Sequence, residues 1–250
     1  MINVNNYVRV KTIEEAYELN KKKNNVILGG MLWLRLQNLN IGTAIDLSDL
    51  GLDTIKEEDD KYIIGAMVTL RDLEKHEGLN KMTNNALYDS VKHIVGVQFR
   101  NMATVGGSIF GRFGFSDVLT VFLSLNAKVE TFEKGVISLK EFSESKYDND
   151  IIMNIIVDKK DWKVCYQSIR NNNETDFPAL TCSIGYVDDT YYVACGARPG
   201  RAKLVITPDF DAESIAKQFS TETNNRGSKE YRAKMIRVLL KRGYKKVKGE

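Results

Sequence analysis

Gln98-Phe99-Arg100-Asn101-Met102-Ala103-Thr104-Val105-Gly106-Gly107-Ser108-Ile109-Phe110, with Ser116-Asp117 close behind it, is the stretch on which the fold turns. A Gly-Gly pair marks a junction where the chain bends tightly or lets a ligand approach the backbone without a Cβ in the way. Thr104 and Ser108 add a hydroxyl on each side. Asp117 opens a predicted helix, Ser116 to Asn126, whose Val118, Leu119, Val121, Phe122 and Leu123 are apolar. At that position its carboxylate either complements the helix dipole or accepts hydrogen bonds from ligand hydroxyls.

A second pair, Gly29-Gly30, follows the predicted strand Val26-Ile27-Leu28 and precedes an apolar stretch, Met31 to Leu39, that reads as a helix. Unpaired N–H groups at such a helix start favour a phosphate, although a plain tight turn explains the same residues. Tyr7 to Val10 reads as a strand, Thr12 with Glu15 as a capping box before Ile13, Ala16 and Leu19, and Ala44 to Leu47 as a third strand. This is a βαβ-type opening. Neither glycine pair fits the Gly-Lys-Ser/Thr phosphate loop or the GxGxxG fingerprint, so a Rossmann NAD site is disfavoured.

Further along, Tyr62 to Val68 and Lys128 to Phe132 read as strands, with Glu133-Lys134-Gly135 as a hairpin turn. Helices are expected after Thr69, with Asp72 completing a cap, and across Asn84 to Ile94. Ile151 to Val157, Trp162 to Ile169, Ala179 to Val187 and Tyr191 to Ala197 suggest one antiparallel sheet, the last two strands joined at Asp188-Asp189. Ser228 can cap a helix with Tyr231, Met235, Val238 and Leu239 on one stripe.

The 250 residues carry a net charge of +3, with 43% hydrophobic and 28% charged residues, which excludes a disordered, collagenous or disulfide-built chain. Arg226 to Glu250 holds ten Lys/Arg against two Glu, leaving a mildly acidic body with a basic tail. Only Tyr231 and Tyr244 are aromatic there, which disfavours a nucleic-acid surface. No signal segment or membrane span is evident, so a cytoplasmic chain is expected, and the Asn173-Glu174-Thr175 sequon carries no weight. Cys165, Cys182 and Cys195 stand singly, as core thiols do, and cannot hold an iron–sulfur cluster. His76 and His93 have no partner motif, so no acid or base is assigned.

VILGGMLWL (26–34), QFRNMATVGGSIF (98–110) with SDVLTVFLSLNAKVE (116–130), and RGSKEYRAKMIRVLLKRG (226–243) together resemble the FAD-binding subunit of molybdenum hydroxylases, the family of the medium subunits of xanthine dehydrogenase and carbon monoxide dehydrogenase. The resemblance implies an α+β chain with the vanillyl-alcohol-oxidase or PCMH-type flavin fold. Residues 1–160 would form the FAD domain, in subdomains of about 1–53 and 54–160, and residues 161–250 a small C-terminal domain of antiparallel sheet and helices.

It implies FAD contacts from Val26, Ile27, Leu28, Gly29, Gly30, Met31, Leu32 and Trp33 in a first loop and from Thr104, Gly106, Gly107 and Ser108 in a second, with Asp117, Ile94 and Ile152 beside them. It also implies electron relay: an iron–sulfur (2Fe-2S) subunit and a molybdopterin subunit as partners, and NAD(H) as the exchange partner of the flavin. Covalent flavin attachment is not expected. Met31-Leu32 and Ser108 depart from the residues usual in relatives, as does Arg112-Phe113-Gly114-Phe115, whose arginine reads either as a phosphate's counter-charge or as a solvated loop residue. Gln167 or Ser168 stands where relatives often carry lysine. A degenerate subunit that only docks, and another FAD oxidoreductase of the same fold, are the alternatives.

Overall fold

The computed structural model describes residues 2–172 and 176–250, so the sequon at 173–175 lies outside the described residues. Three sheets organise the described residues. In the first, β1 (Asn3–Arg9), β2 (Val26–Leu28) and β3 (Asn40–Asp46) are parallel in the order β1-β3-β2, with α1 (Ile13–Asn20) crossing between β1 and β2. Thr12 caps α1 by accepting from the Glu15 N–H, but the Glu15 carboxylate reaches back to the Lys11 N–H, one residue earlier than a capping box requires. The helix expected over Met31 to Leu39 is absent: only a 3₁₀ turn, Leu34–Leu36, forms. Met31 has a φ of 59°, which breaks any helix there, and the apolar side chains divide between two cores instead of sharing one face.

The second sheet is antiparallel in the order β4-β5-β8-β6-β7, from β4 (Ile55–Glu57), β5 (Lys61–Gly65), β6 (Lys128–Thr131), β7 (Gly135–Ser138) and β8 (Ile152–Asp158). Short helices fill the connection from β5 to β6: α2 (Leu70–Lys75), α3 (Glu77–Met82), α4 (Ala86–Val91), α5 (Val97–Arg100), α6 (Val105–Phe110) and α7 (Asp117–Ser124). The Thr69–Asp72 capping box on α2 is present with both reciprocal bonds. After β7, α8 (Leu139–Glu144) returns the chain to β8.

The Ile151 strand therefore belongs to this sheet and not to the C-terminal one, because β8 pairs on both edges with β5 and β6. The C-terminal sheet takes its fourth strand from later in the chain: β9 (Lys163–Arg170), β10 (Pro178–Val187), β11 (Thr190–Gly196) and β12 (Lys203–Thr207), in the order β12-β11-β10-β9. Asp188 and Asp189 both have positive φ, as the two-residue hairpin joining β10 to β11 requires. After α9 (Ala212–Lys217), α10 (Lys229–Lys248) packs on β9 and β10.

Helix α7 covers the other face of this sheet, against β10 and β11, and all eight of its residues are buried. Two hydroxyl pairs fix that contact: Thr120 with Thr181 at 3.0 Å and Ser124 with Ser183 at 2.6 Å. Gly185 lets the backbones close up, since a Cβ there would lie 2.1 Å from the Ser124 oxygen. The helix that begins with Asp117 is thus clamped to the C-terminal sheet.

The buried stripe of α10 is Arg232, Ile236, Leu239, Leu240, Gly243 and Val247, while Tyr231 is exposed. The stripe is displaced by one residue from the apolar spacing because Arg232, despite its charge, is the residue the core demands. The helix also absorbs Tyr244 to Lys248, ending at Gly249 in the left-handed conformation, so the chain has no loose basic end before Gly249. The three cysteines are free and buried. Among the described residues, no helix is long and apolar enough to cross a membrane.

Candidate functional site

A cleft of about 710 Å³ opens where the two glycine turns meet the end of β9. Val26, Ile27, Gly29, Gly30, Met31, Leu32 and Trp33 line it from the first turn; Ile94, Thr104, Gly107, Ser108 and Asp117 line it from the second region. Three expected residues stand apart from the lining. Leu28 is buried with Ile41 and Ala44, Ile152 lies in the main core, and Gly106 packs against Ala66.

The glycines serve this architecture in a different way from the one their spacing suggests. A Cβ on Gly30 would sit 1.9 Å from the Met102 oxygen, and one on Gly29 would sit 2.9 Å from Thr104 Oγ1. A Cβ on Gly106 would lie 2.7 Å from Ala66. These positions let one turn lie against the other and against the sheet. The N–H groups that open α6 are already used: Val105 donates to Val68 O, Gly106 to Ala66 O, Gly107 to Thr104 Oγ1 and Ser108 to Thr104 O, at 2.8–3.2 Å. The Ser108 hydroxyl donates to Thr104 O as well.

Free donors lie in the first turn instead. Among the described residues, no backbone N–H from Gly30 to Trp33 donates to a protein acceptor. Met31 lies in the left-handed region within this run, and a left-handed residue among free N–H groups is a component of backbone anion sites. The Met31-Leu32 departure leaves these donors in place: Leu32 is buried in the main core, and Met31 packs on the cluster around Leu28.

The remaining wall is aromatic. The Trp33 ring lies 5.8 Å from Phe115 and 5.3 Å from Phe177, and Phe113 stacks on Phe115 at 5.2 Å. Ile94, also on the lining, is anchored through its carbonyl. Arg100 makes a two-pronged pair with Glu74, at 2.8 and 3.2 Å, and donates to the Ile94 oxygen at 3.1 Å. Both ionic partners are buried, and Arg71 adds a third contact at 2.9 Å, so the Glu74 carboxyl sits below its ordinary range despite burial. The clamp supports the turn at Val95, whose φ of 48° is an uncommon conformation for a β-branched residue.

Asp117 is buried at the base of the cleft. Arg170 Nη2 donates to its Oδ1 at 2.6 Å, and the Tyr166 hydroxyl donates to the same oxygen. Burial pushes the Asp117 carboxyl up, opposed by the charge of Arg170 and by these hydrogen bonds. Arg170 also donates to the Asp176 carbonyl, and Asp176 pairs with Arg226 at 2.7 Å, over the ring of Phe177. A chain of alternating charge thus runs along one side of the cleft.

Arg170, Asp176, Phe177 and Arg226 escape a sequence reading because they come from a strand end, a loop and a helix start with no shared local pattern. The Phe113-Gly114-Phe115 doublet was the visible signal for the aromatic wall. Arg112 corrects both expectations held for it: it is 2% exposed, donates to the Phe142 and Phe110 carbonyls, and lies 3.8 Å from the Phe142 ring. It neither serves a phosphate nor meets solvent, because its φ of 44° turns the side chain into the α8 region. Gln167 ties β9 to α10 through Leu239 O at 2.9 Å.

A family model described as the FAD-binding domain in molybdopterin dehydrogenase matches residues 2–159. The chain belongs to this family. FAD is accordingly its cofactor, and the residues fit it: an apolar, ring-lined cleft with unpaired backbone donors at one end suits a flavin with a pyrophosphate. The chain is 24% identical over 274 residues to the glyceraldehyde dehydrogenase medium chain of Sulfolobus acidocaldarius, covering 96% of this chain and 97% of that one. Quinoline 2-oxidoreductase from Pseudomonas putida 86 superposes with a TM-score of 0.83 at 16% identity, over 98% of this chain and 97% of that one. Reconstituted CO dehydrogenase from Oligotropha carboxidovorans gives 0.85 at 19%, over the same 98% and 97%. These two share the fold.

Proposed function

We propose that this chain is the flavin subunit of a cytoplasmic molybdenum hydroxylase complex, taking electrons from an iron–sulfur (2Fe-2S) partner and delivering them to NAD⁺, with a molybdopterin partner as the site of substrate oxidation. Residues 1–160 would hold the cofactor, and residues 161–250 would form a separate C-terminal domain. The carrying observation is the convergence of both glycine turns and Asp117 on one cleft, inside the segment that matches the FAD-binding family.

FAD supplies the two-electron to one-electron exchange. The chain's own residues bind and orient it. The N–H groups of Gly30 to Trp33 hold the pyrophosphate, with the Thr104 hydroxyl, whose proton has no partner among the described residues, beside them. Ile94, Trp33 and Phe115 bury the ring and exclude water. Asp117, paired with Arg170, accepts from the cofactor's hydroxyls.

The acceptor is tested on the isolated chain loaded with FAD under anaerobic conditions. NADH is expected to bleach the flavin and to support reduction of an added dye, with no oxidation of purines or aldehydes. A flavin that stays oxidised in excess NADH, yet accepts electrons from a reduced iron–sulfur protein, would remove NAD⁺ from the scheme and leave the relay.

A further inference from the structure

Val95 holds a conformation that its side chain disfavours, while the glycine next to it does not use its freedom. Val95 has a φ of 48°, whereas Gly96 has an ordinary φ of −110°. A β-branched residue in the left-handed region persists only where its surroundings impose it, and such residues gather at ligand sites.

The constraint comes from Arg100. Its Nη1 donates to the Ile94 oxygen at 3.1 Å and to the Val95 oxygen at 3.4 Å. Those carbonyls belong to the peptide planes before and after Val95, and the φ and ψ of Val95 are the rotations between these two planes. One nitrogen that holds both carbonyls therefore fixes both angles. Nε and Nη2 are engaged by the Glu74 carboxylate at 2.8 and 3.2 Å, which keeps Nη1 aimed at the turn. Both side chains are 6% exposed. A buried ion pair adds little net stability over apolar residues of the same volume, because desolvation offsets the attraction. What it supplies here is orientation.

The turn and the clamp belong to the same wall of the cleft. Ile94 and Val95 line it; so do Leu70 from α2, the helix of Glu74, and Phe99 from α5, the helix of Arg100. The Phe99 ring lies 6.2 Å from Trp33.

We infer that Arg100, aimed by Glu74, is a positioning residue for the cofactor: it holds the Ile94–Val95 turn in the left-handed shape against which the flavin packs. The inference rests on the flavin reading above. Arg100 acts through the backbone of Val95, and the ion pair serves binding as well as folding.

FAD binding is measured by calorimetry on the full chain, on Arg100→Lys, on Val95→Gly and on the variant carrying both. Lysine keeps a charge for Glu74 but lacks the fork that serves a carboxylate and two carbonyls together. With valine at 95, Arg100→Lys is expected to weaken FAD binding by about tenfold or more, because the released residue leaves the left-handed region. Glycine enters that region without penalty, so in the Val95→Gly background the same change is expected to cost less than about threefold. A purely structural ion pair gives equal losses in both backgrounds. Equal losses, or no loss with valine, would overturn the assignment.

Val95→Pro keeps both ionic partners and is independent of how Arg100→Lys folds. Proline is confined to a φ of about −65°, so it forces the turn out of its shape at an exposed position. It is expected to weaken FAD binding by about tenfold or more while the far-ultraviolet circular dichroism stays that of the parent, and parent-like affinity would overturn the inference. An unaltered chain that takes up no FAD would reject the flavin reading itself, and this inference with it.

Discussion

Arg232→Leu is expected to lower the thermal unfolding midpoint by on the order of 10 °C. Arg232 is 1% exposed; among the described residues it faces no carboxylate and serves four main-chain oxygens and one side-chain amide oxygen. Its Nε donates to Ala179 O at 2.8 Å and Ala197 O at 3.1 Å, and its Nη1 to Glu222 O at 2.8 Å and Gly227 O at 2.5 Å. Nη2 donates to Asn224 Oδ1 at 2.6 Å. Three segments are gathered on one guanidinium: the ends of β10 and β11 and the turn that leads into α10.

Leucine leaves the inner two carbonyls without partners in a dry core, at about 1–3 kcal/mol each, while the outer ones regain water. A loss of about 4 kcal/mol follows, and each kcal/mol displaces the midpoint of a chain this size by about 2–4 °C. Lysine is not expected to rescue, since a point charge cannot reproduce the fork. Scanning calorimetry on both variants decides it, and midpoints within 2 °C (about 1 kcal/mol) of the parent would mean that the carbonyls are satisfied some other way.

Gly30→Ala is expected to cost about 2–4 kcal/mol of stability, towards the upper end of what overpacking does, and to abolish FAD retention, while Gly107→Ala changes both only slightly. The two glycines look equivalent in the sequence. In space, a Cβ on Gly30 meets the Met102 oxygen at 1.9 Å, the Met102 carbonyl carbon at 2.6 Å and Ala103 Cα at 2.9 Å, all main-chain atoms that cannot swing aside. The Cβ of Gly107→Ala meets only Thr104 Oγ1, at 3.0 Å.

Parting the first turn from the second also moves the N–H groups of residues 30–33 away from the Thr104 hydroxyl. Denaturant titration followed by flavin content after gel filtration reads both effects. Retention of cofactor in Gly30→Ala, with loss in Gly107→Ala, would reverse the roles given to the two turns.

Much of this was legible in the residues. Thr69 with Asp72, Ser228 before α10 and the aspartate pair at 188–189 each fix a local conformation by chemistry within four residues, and the structure follows them. The family segments brought two turns and Asp117 to one place. What escaped depends on distant partners. An apolar run after Gly30 reads as a helix until its side chains are shared between two cores. Ile151 to Val157 reads as a strand of either sheet, because its alternation does not name its neighbours. The stripe of α10 was misplaced by one residue because a buried arginine looks polar in any hydropathy pattern. Arg170 was invisible for the same reason: its role is set by Asp117, fifty-three positions away in the chain.

Equilibrium binding of FAD to the purified chain, compared with FMN, tests the central claim most directly. If the Gly30 to Trp33 turn holds a pyrophosphate and the aromatic wall holds the ring, the chain takes up one FAD per polypeptide, quenches its fluorescence and discriminates strongly against FMN, which lacks the pyrophosphate. A chain that binds neither, or that binds FMN as well as FAD, would contradict the site described for it.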